Sequence, residues 1–460
     1  HLPAFFLESL MDPRTQQMLS APPLPLLVGM AAPSTVAFFI QGSVSLAEVW
    51  FIGQLGEISL AAIALAFPLL MLTQTLSGGA MGGAVAAAIA RALGAGDIVR
   101  AERLVWHALA LAVMGGVGLL VIFLLGGRAF LQFLGGEDEV LRQAYAYAVV
   151  LLSGSVFLWL IGTVTAIYRG MGEMQFPAAI MIFNALVQIP LSGCLILGWG
   201  GLPALGIIGA AISAIVAAAL LCLPLFVKLS KGDLPVRLRL SAMRLSQSHF
   251  DAILRVALPA PWSPLLTIAT VLVLTAYVAS FGEAALAGYG IGSRVEFLII
   301  PLVFGLGAAM TTAVGASVGA GELDRAERLG AIGGLSAGVI AGLVGIVLAL
   351  FPNAWIGVFT DVPAVHAAAR SYIEIVGPLF FFHGLGLSLY FASQGASAMF
   401  WPVWATVLRV LVAALGGYVL AFTLDFGLSG IYTAAAAAML TYAVVIAAAI
   451  KAGAWRHANN

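Results

Sequence analysis

Long apolar stretches separated by short polar connections recur along the whole of this 460-residue chain. Each stretch continues for about 20 residues or more, without the alternation at every second position that barrel strands require, so each is typical of a membrane-spanning helix. In hydrocarbon, a helix satisfies its own backbone groups. The pattern predicts twelve spans, near residues 25–51, 59–92, 101–125, 141–168, 176–198, 204–229, 250–280, 285–316, 329–351, 365–392, 401–424 and 427–451.

Composition supports the same interpretation. Hydrophobic residues make up 62% of the chain and charged residues only 9%, whereas a soluble domain carries about 25% charged residues. The formal net charge of zero gives no indication of a nucleic-acid partner. Cys194 and Cys222 both lie in apolar stretches, which favours free thiols over a disulfide or a metal site. We therefore expect a multi-pass protein of the lipid bilayer.

The basic residues predict how the spans are oriented. Most of them fall on one side of the twelve-span pattern, and basic loops are retained in the cytoplasm. These residues are Arg91, Arg100, Arg103, Arg169, Lys228, Lys231, Arg237, Arg239, Arg244, Arg325, Arg328, Lys451 and Arg456. Both termini and the central loop are therefore predicted to be cytoplasmic, in an inner (plasma) membrane protein.

The two halves of the chain repeat one another. Pro33 is followed 226 residues later by Pro259, and GAGDIVRAERL from Gly94 resembles GAGELDRAERL from Gly319, 225 residues on. Each half holds six predicted spans, an even number, so both halves enter the membrane the same way round. The sequence thus predicts an all-α membrane protein of two six-helix bundles, related by a pseudo-two-fold axis along the membrane normal.

The repeat also predicts the domain boundaries. A cytoplasmic segment, 1–24, precedes an N-terminal bundle at 25–229, and a C-terminal bundle occupies 249–452. The connection 230–248 is basic and has no apolar run, which is typical of a solvated linker. Residues 453–460 are predicted to form a short C-terminal tail.

Several segments resemble the multidrug and toxic compound extrusion (MATE) family of the bacterial type. They are AEVWFIGQLGEISLAAIAL, the two GAG motifs, IYRGMGEMQFP and FNALVQIPLSG. The resemblance covers both halves, and the family's larger group also holds lipid-linked oligosaccharide flippases. It implies a secondary active antiporter that exports amphipathic or cationic organic compounds by alternating access, in exchange for protons or sodium.

Glu48 is a carboxyl group within the apolar first span. An ionised side chain in the bilayer costs about 2.5–3.5 kcal/mol on insertion scales, so it needs a reason to be there. The resemblance places Glu48 where family members carry an Asp. Burial disfavours the carboxylate relative to its neutral acid, so Glu48 is a candidate for loading and releasing a proton. The alternative is a Glu that is hydrogen-bonded for packing alone.

Asn184 and Gln188 lie four residues apart in the fifth span and therefore share one helix face. In proton-coupled relatives the position of Gln188 usually bears an Asp, so the resemblance implies that coupling here would depend on Glu48 alone. Gln41, also in the first span, completes the predicted ion-coupling or substrate set. Packing between helices remains an alternative role for the amides.

The second half offers a further set of polar residues, namely Arg294, Glu296, Glu374, His383 and Arg409. Arg409 takes the position of Asn184 in the repeat, and we expect it to pair with Glu374 or Glu296 because a lone guanidinium in lipid is costly. A lone His such as His383 on an apolar helix is more often a satisfied packing residue than a ligand.

The coupling ion and the class of protein are narrowed by what the sequence lacks. Sodium-coupled relatives use acids in the seventh helix, and Leu254 to Phe281 contains no carboxylate, which favours protons while sodium remains an alternative. A lipid-linked precursor flippase is a second alternative. No phosphate-binding loop or catalytic constellation is present, so we expect no enzyme activity and no cofactor beyond an ion gradient. A monomer acting on a small organic molecule is predicted.

Overall fold

The computed structural model describes residues 12–231 and 234–458, and within those ranges every regular element is helical. Three predicted segments extend outside the described residues. They are the N-terminal segment 1–24 over residues 1–11, the linker 230–248 over residues 232–233, and the C-terminal tail over residues 459–460.

Twelve spans are present in the described part of the chain, as the sequence predicts. Eleven helices are long and apolar enough to cross a membrane, and two shorter helices that meet at a bend of 52° form a twelfth span, the fourth in order. The spans are Pro23–Gly53, Glu57–Gly94, Ile98–Phe133, Asp138–Ser153 with Ser155–Gly170, Gln175–Leu197, Ile207–Lys231, Gln247–Ala279, Glu283–Gly319, Leu323–Leu350, Pro363–Gly395, Phe400–Thr423 and Gly427–Lys451. The all-α, twelve-helix prediction is confirmed.

The two GAG motifs end the second and eighth spans in the same way. Gly96 and Gly321 adopt positive φ angles of 72° and 79°, which glycine reaches without a steric penalty. Asp97 N then donates to Ala92 O at 2.9 Å, and Glu322 N donates to Ser317 O at 2.9 Å. These bonds satisfy carbonyl groups that the helix ends leave unpaired, so the repeated motif is a repeated C-cap.

The four repeated prolines have different structural effects. Pro33 lies inside the continuous helix Pro23–Gly53, whereas Pro259 lies in the turn that breaks the seventh span. Pro177 and Pro402 fall in the first turn of their helices, where the N–H that proline lacks would be unpaired in any case. They therefore begin helices and do not interrupt them.

Contacts divide the chain into two compact units. The first unit includes Val36–Leu254, and the second includes Gln17–Thr35 and the chain from Arg255 onward. The predicted boundary put residues 25–35 in the first bundle, whereas the structure groups them with the second unit. The reason is close packing: Gly305 has no side chain, and Thr35 Oγ1 takes the place that its Cβ would occupy.

The first unit has a continuous apolar core that draws on its spans in turn. Ile52, Ala66, Leu131, Leu152 and Ile196 are buried together there. These residues come from the first to the fifth spans, so the core fixes the fifth span beside the second half of the first span. The two spans that carry Glu48 and Asn184 are thereby held in register.

Candidate functional site

Glu48 is the centre of a polar network in the first unit. The side chain is partly buried, and its Oε1 accepts hydrogen bonds from Gln188 Nε2 and from Ser192 Oγ, each at 2.9 Å. Gln188 and Ser192 are themselves buried in the fifth span. The carboxyl group is thus held by polar side chains of a neighbouring helix inside an apolar core, as an intramembrane carboxyl group must be.

The network continues along one face of the fifth span. Asn184 Nδ2 donates to Gln188 Oε1 at 2.9 Å, which leaves the Gln188 amide free to donate to Glu48. Asn184, Gln188 and Ser192 are each four residues apart, so they form a single polar stripe on the helix. The sequence analysis identified the first two residues and missed Ser192, although it continues the same spacing by one more turn.

Ser213 extends the network into the sixth span. Its hydroxyl lies 2.6 Å from Ser192 Oγ and can donate to the backbone carbonyl of Ala210 at 2.8 Å. Both serine side chains are fully buried. Glu48 therefore connects to a short file of hydroxyl groups that ends at a carbonyl oxygen, a feature that no pattern in the sequence indicates.

Gln41 does not join this network. It lies seven residues before Glu48, which is two helical turns along the same helix, and its side chain is partly buried. Within the described residues, no hydrogen bond connects Gln41 to Glu48 or to its partners. A role for Gln41 in substrate contact stays a prediction.

Each unit places a buried tyrosine near a carboxyl group. Tyr147 of the fourth span is buried and within electrostatic range of Glu48. Tyr372, its equivalent in the repeat 225 residues later, lies near Glu296, and its hydroxyl is 3.5 Å from Glu296 Oε1. The carboxyl groups themselves are not at equivalent positions, so the repeat conserves the tyrosine while the acid has moved to another span.

The pairing of Arg409 with Glu374 is wrong. Glu374 Oε1 instead accepts a hydrogen bond from Arg370 Nε at 2.7 Å, and both side chains are about half exposed. Arg370 and Glu374 are one helical turn apart, so this pair forms within its own helix without bringing distant spans together. Glu374 therefore lies apart from the buried polar residues of the second unit.

Glu296 does not form the alternative ion pair either. In the part of the chain that the structure describes, no carboxylate lies within 4.0 Å of the Arg409 guanidinium. Arg409 is buried, is within electrostatic range of Glu296, and has its Cζ 5.6 Å from the centre of the Tyr442 ring. A guanidinium over an aromatic face is stabilised by the ring quadrupole. The ring partly replaces the carboxylate that we expected.

Arg294 and His383 complete the second set. Arg294 is exposed at a turn within the eighth span, with its Cζ 5.8 Å from the Phe359 ring, and lies outside the buried cluster. His383 is buried, and its Nδ1 has no hydrogen-bond partner, so the expectation of a satisfied packing residue is wrong. Of the five predicted residues, the structure brings together Glu296, His383 and Arg409.

Twelve apolar helices in two units, one of which holds a carboxyl group on a buried polar network, define a multi-pass membrane transporter of duplicated architecture. The MatE family model matches residues 33–193 and 259–419 of the chain. The chain therefore belongs to the MatE family, the multidrug and toxic compound extrusion transporters. The two matched segments begin at Pro33 and Pro259, so they also reproduce the internal repeat. Family members are transporters, which confirms that the chain is not an enzyme.

Known proteins of this kind resemble the chain over most of its length. It is 27% identical to the probable multidrug resistance protein NorM of Thermotoga maritima, over 85% of this chain and 83% of the relative. It is 26% identical to a FAD transporter of Shewanella oneidensis, over 87% of this chain and 90% of that protein.

Solved structures share the fold. The crystal structure of MATE in the straight conformation aligns with a TM-score of 0.87 at 24% identity, covering 97% of this chain and 100% of the other. A transporter of the MOP superfamily from Pyrococcus furiosus aligns with a TM-score of 0.86 at 23% identity, covering 97% of this chain and 99% of the other.

Proposed function

We propose that this protein is a proton-coupled antiporter that exports amphipathic or cationic organic compounds by alternating access. Relatives named as multidrug resistance proteins support the substrate class. The hydrogen-bond network of Glu48 supports the coupling ion, and it is the observation that carries the proposal.

The hydroxyl groups beside Glu48 can satisfy both of its protonation states. When Glu48 is ionised, Ser213 can donate to Ser192 and Ser192 can donate to Glu48. When Glu48 is protonated, the file can reverse, because the acid can donate to Ser192, Ser192 to Ser213, and Ser213 to Ala210 O. A serine hydroxyl has one proton and rotates, so this reversal needs no movement of the helices. Neither state leaves a hydroxyl of the file unpaired.

The surroundings of Glu48 favour a proton over sodium. Gln188 presents its N–H group to the carboxylate because its oxygen already accepts a bond from Asn184. Hard cations are bound by oxygen ligands, and these amide groups supply N–H donors instead. The absence of a carboxylate from Leu254 to Phe281 points the same way.

The proposal includes the setting of the protein in the cell. We place the multi-pass chain in the inner (plasma) membrane as a monomer, with both termini and the central linker in the cytoplasm. The basic residues that cluster on that side of the spans support this orientation.

Transport by the purified protein in liposomes tests the proposal. We expect a proton gradient, imposed with no sodium gradient, to drive ethidium accumulation above that of protein-free liposomes, because Glu48 takes up and releases protons. A sodium gradient at equal pH on both sides should drive none. Accumulation that follows only the sodium gradient would contradict the proton assignment, and no ethidium transport under either gradient would contradict the export function.

A further inference from the structure

Arg409 is an unpartnered cation in the second unit. Its side chain is only 5% exposed, and its Nε has no hydrogen-bond partner. Across the described residues, none of the hydrogen bonds uses any of its five N–H donors. Such a group costs stability unless something accepts its hydrogen bonds, and the aromatic contact with Tyr442 supplies no acceptor in the plane of the guanidinium.

Two further buried polar atoms without partners belong to the same cluster. His383 Nδ1 is one, and His383 lies within electrostatic range of Arg409. The hydroxyl of Tyr432 is the other. The Tyr432 ring packs against Tyr289 at 6.3 Å and Tyr372 at 5.1 Å, and both of these tyrosines are also in electrostatic range of Arg409. Three unpartnered polar atoms thus collect among aromatic rings.

The internal repeat shows how this cluster differs from the Glu48 network. Arg409 occupies the position of Asn184, while the positions of Gln188 and Ser192 are taken by Ala413 and Gly417. The amide and hydroxyl partners of the first unit are therefore replaced by small apolar residues. The second unit has gained a cation and lost the side chains that would bond to it.

The charge balance and the geometry of the donors define what would fit. Glu296 is in electrostatic range of Arg409, but its only printed side-chain contact is the Tyr372 hydroxyl at 3.5 Å. The planar N–H fork of an arginine matches the two oxygens of a carboxylate, in a bidentate pair that a single-atom ion cannot reproduce. Aromatic rings around the fork would receive an apolar or aromatic body.

We propose that Arg409, with His383 and Tyr432, binds the carboxylate of an aromatic or amphipathic organic molecule. The guanidinium receives the two oxygens, the Tyr432 hydroxyl and the His383 ring supply further hydrogen bonds, and the Tyr289 and Tyr372 rings contact the body of the molecule. This site lies in a different unit from Glu48 and needs no ion gradient. It can therefore fail while proton-coupled export stands, and the reverse also holds.

Thermal unfolding of the protein in nanodiscs, in a sucrose medium of low ionic strength, tests the site. A ligand that binds only the folded protein raises the midpoint in proportion to its occupancy. Benzoate is expected to raise the midpoint of the parent, and benzamide, its neutral counterpart, is expected to have no effect. Chloride distinguishes an inorganic anion from an organic carboxylate. A chloride response that benzoate does not reproduce would overturn the carboxylate assignment.

Three variants locate the response. Arg409→Gln should weaken benzoate binding by at least about 10-fold, because a charge-assisted pair is lost. Tyr432→Phe removes only the unpartnered hydroxyl and should weaken binding by about 3- to 10-fold. Arg370→Gln, at an exposed arginine of the same unit, is the control and should respond as the parent does. Equal benzoate affinity in the parent and in Arg409→Gln would overturn the proposal. If Arg409→Gln does not fold, unchanged affinity in Tyr432→Phe would overturn it.

Discussion

Replacing Glu48 by Gln should reduce proton-driven ethidium accumulation in proteoliposomes to the level of protein-free vesicles. Glutamine has the size of glutamic acid and can keep contacts with Gln188 and Ser192, so the packing of the first and fifth spans should survive. It cannot release a proton, and the hydroxyl file from Ser192 to Ser213 then stays in one direction. The variant should keep its thermal unfolding midpoint while losing coupling.

Glu57→Gln is the matched control for this experiment. Glu57 is a carboxylate of the same unit, but it is exposed in the first turn of the second span. Its neutralisation should leave accumulation as in the parent. Equal proton-driven accumulation in Glu48→Gln and the parent would remove Glu48 from the mechanism.

Gly345→Ala should destabilise the second unit by about 1–3 kcal/mol, the usual cost of overpacking a well-packed interior. A Cβ at Gly345 would overlap the backbone carbonyl oxygen of Gly377, where the ninth and tenth spans pack at backbone distance. Backbone atoms of two helices cannot move aside as a flexible side chain can. The thermal unfolding midpoint in detergent measures the effect, and it should fall.

Gly290→Ala provides the control for this substitution. Gly290 also lies within a helix of the second unit, but nothing is within 4 Å of a Cβ built on it. Alanine is the better helix former by about 0.5–1 kcal/mol, so the midpoint should stay or rise. A fall in Gly290→Ala that matches the fall in Gly345→Ala would show that backbone contact is not what makes Gly345 necessary.

The fold was largely predictable because lipid makes a simple demand. The first span was predicted at 25–51 and is Pro23–Gly53, since the length of an apolar run follows the thickness of the hydrocarbon. The bend of 52° in the fourth span was not predictable. It lies at Gly154, where the space for a Cβ is filled by Ile215 of the sixth span, and composition does not report such a contact.

The polar sites were predictable only in part. The stripe of Asn184 and Gln188 follows from helix periodicity, and a buried Glu48 needs donors, so their meeting could be expected from one dimension. The environment of Arg409 could not, because it depends on which spans pack together. Its expected partner Glu374 bonds one turn away to Arg370, a residue that the sequence analysis used only to mark membrane topology.

Proton movement driven by the substrate is the most direct test of the account. Proteoliposomes that contain an internal pH-sensitive dye, with the membrane potential fixed, would receive an inward gradient of ethidium and no gradient of pH or sodium. Antiport predicts that protons leave as ethidium enters, so the interior becomes alkaline with the parent and not with Glu48→Gln. Ethidium entry with no change of internal pH, or the same change with both proteins, would contradict it.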